Sequence, residues 1–196
     1  MSKPGGDLIQ SCFHGDVGRR DFFNRIMKIG ITGAIVSFIP SAIITRALAA
    51  SAPDQNEWRR CNKCDSLFYD GYSNKGRCPG GGGHVAEGSS DYFLTYNSPG
   101  PGQPDWRFCN KCEALFYDAY PNKGVCNGGG GHVAAGFNFT LRYDAYAPGK
   151  RDWRFCNKCR TLFYTGSSNK GVCAAGQGHV AAGNNYTLDD RTGGTI

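Results

Sequence analysis

The chain has few of the residues from which helices are built. Only two methionines occur among its 196 residues, whereas 29 residues are glycine and 13% are aromatic. After residue 52, no stretch of useful length spaces its apolar residues as an amphipathic helix requires. Short strands and tight turns, and therefore an all-β fold, are predicted.

A strong charge of one sign is also missing. The formal net charge is +6, but residues 1–52 hold six basic against three acidic residues, and the remainder holds sixteen against thirteen. The excess in the remainder is mild and scattered along the sequence. Nucleic acid is therefore not a predicted partner.

No apolar run has the length of an ordinary transmembrane helix. The run from Ile29 to Ile44 has 16 residues and contains Pro40, whereas about 20 apolar residues are needed to cross a bilayer. Small residues at Ala47 and Ala49, or at Ala50 and Ala52, follow this run and offer A-x-A cleavage sites. A cleaved export signal is favoured over a retained anchor.

The N-terminal residues resemble the bacterial twin-arginine signal. Arg19 and Arg20 precede the bulky pair Phe22 and Phe23, with Asp21 between the two pairs, and the moderately apolar run follows. The resemblance implies a leader over residues 1–52, export in the folded state and a periplasmic or secreted location. The membrane would then matter only during export. Cys12 and His14 are interpreted as inert parts of the leader.

Beyond the leader, the chain repeats one pattern three times: W-R-x-C-N-K-C-x2-L-F-Y, then N-K-G-x-C, then a histidine. The first cysteine recurs after 48 residues and then after 47. Repeat 1 is assigned to residues 53–98, repeat 2 to 99–147 and repeat 3 to 148–196. This regularity predicts three copies of one small structural unit.

Every cysteine and histidine after residue 52 falls in this pattern, three cysteines and one histidine per copy. The three predicted ligand sets are Cys61, Cys64, Cys78 and His84; Cys109, Cys112, Cys126 and His132; and Cys156, Cys159, Cys173 and His179. Four soft ligands of type Cys3His are typical of a closed tetrahedral zinc site, so three zinc ions per chain are predicted. Each copy resembles a zinc ribbon, although the spacing of its second half is unusual.

Two alternatives to zinc stay open. Disulfides suit an oxidising compartment, but three cysteines per copy leave one unpaired and the recurring histidine unexplained. Iron accepts similar ligands, and a Cys3His pattern does not exclude it.

The repeated aromatic residues are interpreted mainly as core. Trp58, Trp106 and Trp153 could instead act as stacking platforms for a ligand such as a sugar. In each Leu-Phe-Tyr triplet, alternation places leucine and tyrosine on one face and phenylalanine on the other. The Asn-Lys-Gly sequences predict turns with glycine in the left-handed region.

Four short strands per copy are predicted: Trp-Arg-Phe-Cys, Leu-Phe-Tyr, Lys-Gly-Val-Cys and a closing stretch such as Phe-Thr-Leu. Two architectures fit this pattern. The copies either close around a pseudo-threefold axis, resembling a β-trefoil, or form three zinc-ribbon-like beads, each held by its own ion.

The favoured function is that of an exported, non-catalytic binding or structural protein stabilised by zinc. Its target could be a glycan, an envelope polymer or another protein. The repeat resembles Cys/His-rich modules of uncharacterised secreted microbial proteins, a resemblance that implies no activity. An enzyme is disfavoured because no histidine lies outside the pattern after residue 52 and no G-x-S-x-G motif occurs. Zinc buffering or delivery is the remaining alternative.

Overall fold

We describe a computed structural model of the chain over residues 52–144 and 148–190. The predicted leader, with Arg19 and Arg20, lies outside the described residues. Within them, no helix has the length and apolar character needed to cross a membrane.

The described residues form nine β-strands and no α-helix, which confirms the predicted all-β fold. The strands are β1 (Asp54–Arg60), β2 (Leu67–Tyr69), β3 (Tyr92–Thr95), β4 (Gln103–Cys109), β5 (Leu115–Tyr117), β6 (Ala134–Tyr143), β7 (Lys150–Cys156), β8 (Leu162–Tyr164) and β9 (Ala181–Asp190).

Each copy contributes the same three-stranded unit. A long first strand pairs antiparallel with the short Leu-Phe-Tyr strand on one side and with the closing strand on the other. The register is the same in all copies, since Trp58 faces Tyr69, Trp106 faces Tyr117 and Trp153 faces Tyr164.

The fourth predicted strand, Lys-Gly-Val-Cys, is wrong. In copy 2 this segment is a loop whose backbone bonds locally rather than to a neighbouring strand. Cys126 N–H donates to Gly130 O at 2.8 Å, and His132 N–H donates to Lys123 O at 3.3 Å. The unit therefore has three strands instead of the four that the repeat predicted.

The three copies close on one another through their short strands. Tyr69 N–H donates to Glu113 O, Tyr117 N–H to Arg160 O and Tyr164 N–H to Asp65 O, each at 3.0 Å. These bonds run from copy 1 to copy 2, from copy 2 to copy 3 and from copy 3 back to copy 1. The closing strands add to the contact, because β9 pairs with both β3 and β6. The closed pseudo-threefold arrangement is confirmed, and independent beads are wrong.

The tryptophans form the centre of a shared core. Trp58, Trp106 and Trp153 are fully buried. Each indole meets, edge to face, an aromatic ring on the closing strand of the next copy: Phe139, Tyr186 and Tyr92, at centroid distances of 5.2, 5.3 and 5.1 Å. Such pairs stabilise a fold by about 0.5–1.5 kcal/mol beyond their burial. The alternative role of the tryptophans as exposed stacking platforms is contradicted by this burial.

The Leu-Phe-Tyr strands separate two environments, as the predicted alternation requires. Leu67 lies in the tryptophan core and Tyr69 packs against it, whereas Phe68 lies among the cysteines of its own copy. Phe116 and Phe163 do the same in the other copies. The phenylalanine of each triplet therefore packs against the candidate metal site, and the leucine and tyrosine pack in the tryptophan core.

Candidate metal centres

The structure brings the twelve predicted ligands together in three separate groups. They are Cys61, Cys64, Cys78 and His84; Cys109, Cys112, Cys126 and His132; and Cys156, Cys159, Cys173 and His179. Within each group all four side chains are buried, and the four ligand atoms lie within 4.8 Å of one another. Three Cys3His groups that could hold metal ions are thus present in one closed domain.

The spacing of the ligand atoms is that of a tetrahedral site. The Sγ atoms of the first and third cysteines are 3.7, 3.8 and 3.9 Å apart in the three copies. The second cysteine Sγ lies 3.5, 3.5 and 3.4 Å from the histidine Nδ1. Zinc bonds of about 2.3 Å to sulfur and about 2.0 Å to nitrogen give tetrahedral edges of about 3.8 and 3.5 Å. These two edges of each group therefore have the lengths that a tetrahedral zinc ion requires.

All nine cysteines in the described residues are free. Their Sγ separations of 3.7 to 3.9 Å are far from the roughly 2.05 Å of a disulfide bond. The disulfide alternative is therefore not the arrangement of this fold.

The histidines are oriented by the neighbouring copy. His84 Nε2 lies 3.1 Å from Cys112 O, His132 Nε2 lies 2.9 Å from Cys159 O, and His179 Nε2 lies 3.0 Å from Cys64 O. A carbonyl oxygen only accepts, so Nε2 must carry the proton and donate it. Nδ1 is then left with a free lone pair facing the cysteine sulfur, which is the tautomer that a metal ligand needs.

These three bonds form a ring. Each histidine of one site binds the backbone of the second cysteine of the next site, in the order 1 to 2, 2 to 3 and 3 to 1. Such outer-shell partners fix ligand orientation and strengthen metal binding. Each candidate centre therefore helps to join two copies, in addition to connecting the loops of its own copy.

A phenylalanine ring stacks on each ligand imidazole. The Phe68, Phe116 and Phe163 rings stack on His84, His132 and His179, with centroids 4.8, 4.7 and 4.6 Å apart. Each ligand imidazole is thus restricted by a ring face and by a carbonyl acceptor. The sequence shows the phenylalanine as a recurring residue but does not show its partner.

The Asn-Lys-Gly turns pack against the backbone carbonyls that accept from the histidines. Gly76 has a φ of 60°, as predicted, and Asn74 Oδ1 accepts from its N–H at 3.1 Å. A Cβ on Gly76 would collide with the carbonyl of Cys112 in the next copy, and Gly124 stands in the same relation to Cys159. Glycine is required here both by the left-handed backbone and by this close approach.

A lysine between the first two cysteines holds the glycine loop. Lys63 Nζ donates to Gly83 O at 2.6 Å, and Lys111 Nζ donates to Gly131 O at 2.6 Å. Gly81 and Gly82 in this loop adopt the left-handed conformation, and Gln177 adopts the same conformation in copy 3. Sequence reasoning missed the lysine's role, although its recurrence in Asn-Lys-Cys was a visible signal.

The thiols within each group differ in acidity. Hydrogen bonds with Cys64 and Cys78 lower the pKa of the Cys61 thiol, while the bonds with Cys61 and Cys78 raise the pKa of Cys64. Burial lowers the pKa of His84, but hydrogen bonds to Cys61 and Cys78 outweigh it and raise that pKa to about 9. These shifts favour a thiolate at Cys61 and a protonated His84 when no metal is bound. A divalent cation would displace the proton from Nδ1, whose lone pair then faces the metal while Nε2–H keeps its carbonyl acceptor.

Comparison with family models, curated proteins and solved structures finds no match for this chain. The three buried Cys3His groups and the ring that connects them are the features from which a function can be inferred.

Proposed function

We propose that the protein is an exported, non-catalytic binding or structural protein whose closed β domain is held by three zinc ions. The ring of three histidine–carbonyl bonds carries this proposal, because it joins each candidate metal site to the next copy. Metal binding then stabilises the tertiary fold and not only the local loops.

Zinc is favoured over other ions by the donors. Thiolate and imidazole suit zinc, whereas calcium and magnesium require oxygen ligands. Zinc also tolerates tetrahedral geometry without an electronic preference, which agrees with the sulfur and nitrogen spacing. Iron is the competing ion, and metal analysis of the purified protein distinguishes the two.

A non-catalytic role is supported by the closure of each group. A catalytic zinc keeps one coordination position for water or substrate, whereas each group here supplies four protein ligands. The positions that follow the second cysteine carry Asp65, Glu113 and Arg160, so no acidic residue recurs beside the sites.

Zinc buffering or delivery is the alternative, and the rate of metal release separates the two functions. Because the ligands are buried and linked to the next copy, we expect no measurable loss of zinc to a weak chelator while the domain stays folded. A strong chelator is expected to remove the metal only together with the fold. Zinc transfer and circular dichroism, recorded on the same sample, test this. Rapid release from a domain that remains folded would favour metal delivery instead.

Export by the twin-arginine route is proposed from the sequence of residues 1–52. Since the transporter reads the arginine pair as an address, Arg19→Lys together with Arg20→Lys is expected to abolish export and to retain the precursor in the cytoplasm. Cell fractionation with an antibody against the repeat region measures this. Lys3→Arg is the matched control, since it alters a basic residue away from the pair. Unchanged export of the double variant would contradict the assignment.

A further inference from the structure

A recess opens at the junction between copies 2 and 3. It has a volume of about 160 Å³ and is lined by aromatic rings and side-chain amides. Its lining includes Trp106, Tyr117, Tyr120, Phe155, Gln103 and Asn184. Tyr120 at its rim is 46% exposed, so the recess is reached from solvent over an aromatic side chain.

One buried donor in this recess has no partner. Trp106 is fully buried and its Nε1–H makes no hydrogen bond. In copy 1, the equivalent Trp58 Nε1–H donates to Gln55 Oε1 at 3.1 Å. The counterpart of Gln55 is Gln103, whose Oε1 instead accepts from the Tyr186 hydroxyl. Trp106 is one of the residues that line the recess, and its indole N–H lacks the acceptor that a ligand could supply.

The equivalent junctions are built differently. Between copies 3 and 1, Trp153 Nε1–H is also unpaired, but Ser167 stands in the place of Tyr120, and Arg60 and Lys150 lie over the Tyr164 ring at 4.5 and 5.0 Å. Between copies 1 and 2, Phe137 replaces Asn184 and stacks on Tyr96 at 3.9 Å, and the Trp58 donor is paired. Of the three junctions in the described part of the chain, one thus combines aromatic rings, two side-chain amides and an unpaired buried donor.

We propose that this recess binds one neutral sugar unit of a polysaccharide. A pyranose ring presents C–H faces that pack on aromatic rings and hydroxyl groups that bond to amides and to an indole N–H. The lining residues include no carboxylate and no basic group. The guanidinium of Arg160 lies over the Tyr120 and Phe155 rings at 4.6 and 5.4 Å, and it offers N–H donors that also suit sugar hydroxyl groups. The inference rests on the proposed binding function, to which it adds a ligand class and a site.

The indole N–H resonances offer a direct test. In ¹⁵N-labelled, zinc-loaded protein, titration with soluble glucose-, mannose-, galactose- and N-acetylglucosamine-based oligosaccharides is expected to shift the Trp106 indole signal with at least one sugar. The expected dissociation constant is about millimolar, typical of a single small site. The Trp58 indole signal should stay in place, because its N–H already has an acceptor in Gln55.

Variants that test the site can be made by copying residues from the equivalent positions of the other repeats. Tyr120→Ser copies the residue of copy 3, and Asn184→Phe copies that of copy 2; each is expected to weaken binding about fivefold or more. Tyr72→Ser, the equivalent change at the junction of copies 1 and 2, is the matched control and should bind as the unchanged protein does.

Three outcomes would overturn the site: no shift with any of the sugars, a shift of Trp58 rather than Trp106, or a response to N-acetyltyrosinamide alone. The last result would assign the recess to an aromatic side chain of a protein partner. The zinc content of the same sample separates the two proposals. A zinc-loaded, folded protein that binds none of the sugars contradicts only the proposed sugar site. A folded protein without metal contradicts the proposed function.

Discussion

Replacement of Cys112 by serine is expected to remove a metal ion and to leave the protein largely unfolded. The fully liganded site loses a thiolate whose Sγ lies 3.5 Å from His132 Nδ1 in a buried group. Structural zinc contributes about 10–16 kcal/mol in zinc-finger peptides, as much as or more than the roughly 5–15 kcal/mol that stabilises a whole domain. Native mass spectrometry gives the metal count, and circular dichroism melting gives the stability.

His132→Ala is expected to have a similarly large effect. The change removes a ligand and also the bond from Nε2 to Cys159 O, which joins copy 2 to copy 3. Val133→Ala is the matched control, since Val133 is adjacent and 45% exposed, and a change within about 0.5 kcal/mol is expected there. A His132→Ala protein that keeps its melting temperature would show that histidine is not a metal ligand.

Deletion of residues 150–196 is expected to unfold copies 1 and 2 as well. The deletion removes β9, which pairs with both β3 and β6, and the ring of copy 3 that meets Trp106. It also removes the carbonyl of Cys159, so that His132 loses its acceptor. Unpaired strand edges and a buried donor without a partner each cost stability, and they arise here together.

Thermal melting of the truncated chain measures this effect. We expect no cooperative transition and no two-metal species. The control ends after Asp190 and keeps every described contact, so it should melt as the full chain does. A truncated chain that melts cooperatively and binds two metal ions would contradict the mutual dependence of the copies.

The candidate site was predictable from the sequence because its ligands are side chains of rare types. Cysteine and histidine recur in register three times, so the sets could be assigned before the fold was known. The alternation in Leu-Phe-Tyr likewise separated the face of Phe68 from that of Leu67. The metal ligands and the buried faces of strands are set by side-chain type, which can be read directly from the sequence.

Closure was one of two architectures that the sequence allowed, but the bonds that produce it were not predictable, because they depend on backbone groups. The acceptors of the histidines are carbonyls of Cys64, Cys112 and Cys159, and any residue offers a carbonyl. The residue after each of these cysteines adopts a left-handed conformation although it is Asp65, Glu113 or Arg160 rather than glycine. Tertiary contacts override local preference there, since each of these three residues also accepts a backbone bond from the preceding copy in the ring.

The same reasoning explains the strand that was wrongly predicted. Lys-Gly-Val-Cys has the composition of a short strand, but Cys126 must face a buried metal group while Gly124 packs on the carbonyl of Cys159. These two demands bend the backbone away from an extended path. A pattern of residue types does not contain this constraint until the neighbouring copy is in place.

Native mass spectrometry of the protein purified without chelators measures whether the folded chain holds metal at all three sites. We expect three zinc ions per chain, all nine repeat cysteines free of disulfide bonds, and loss of the folded charge-state distribution when the metal is removed. A folded chain that carries no metal and whose repeat cysteines are joined in disulfides would contradict it.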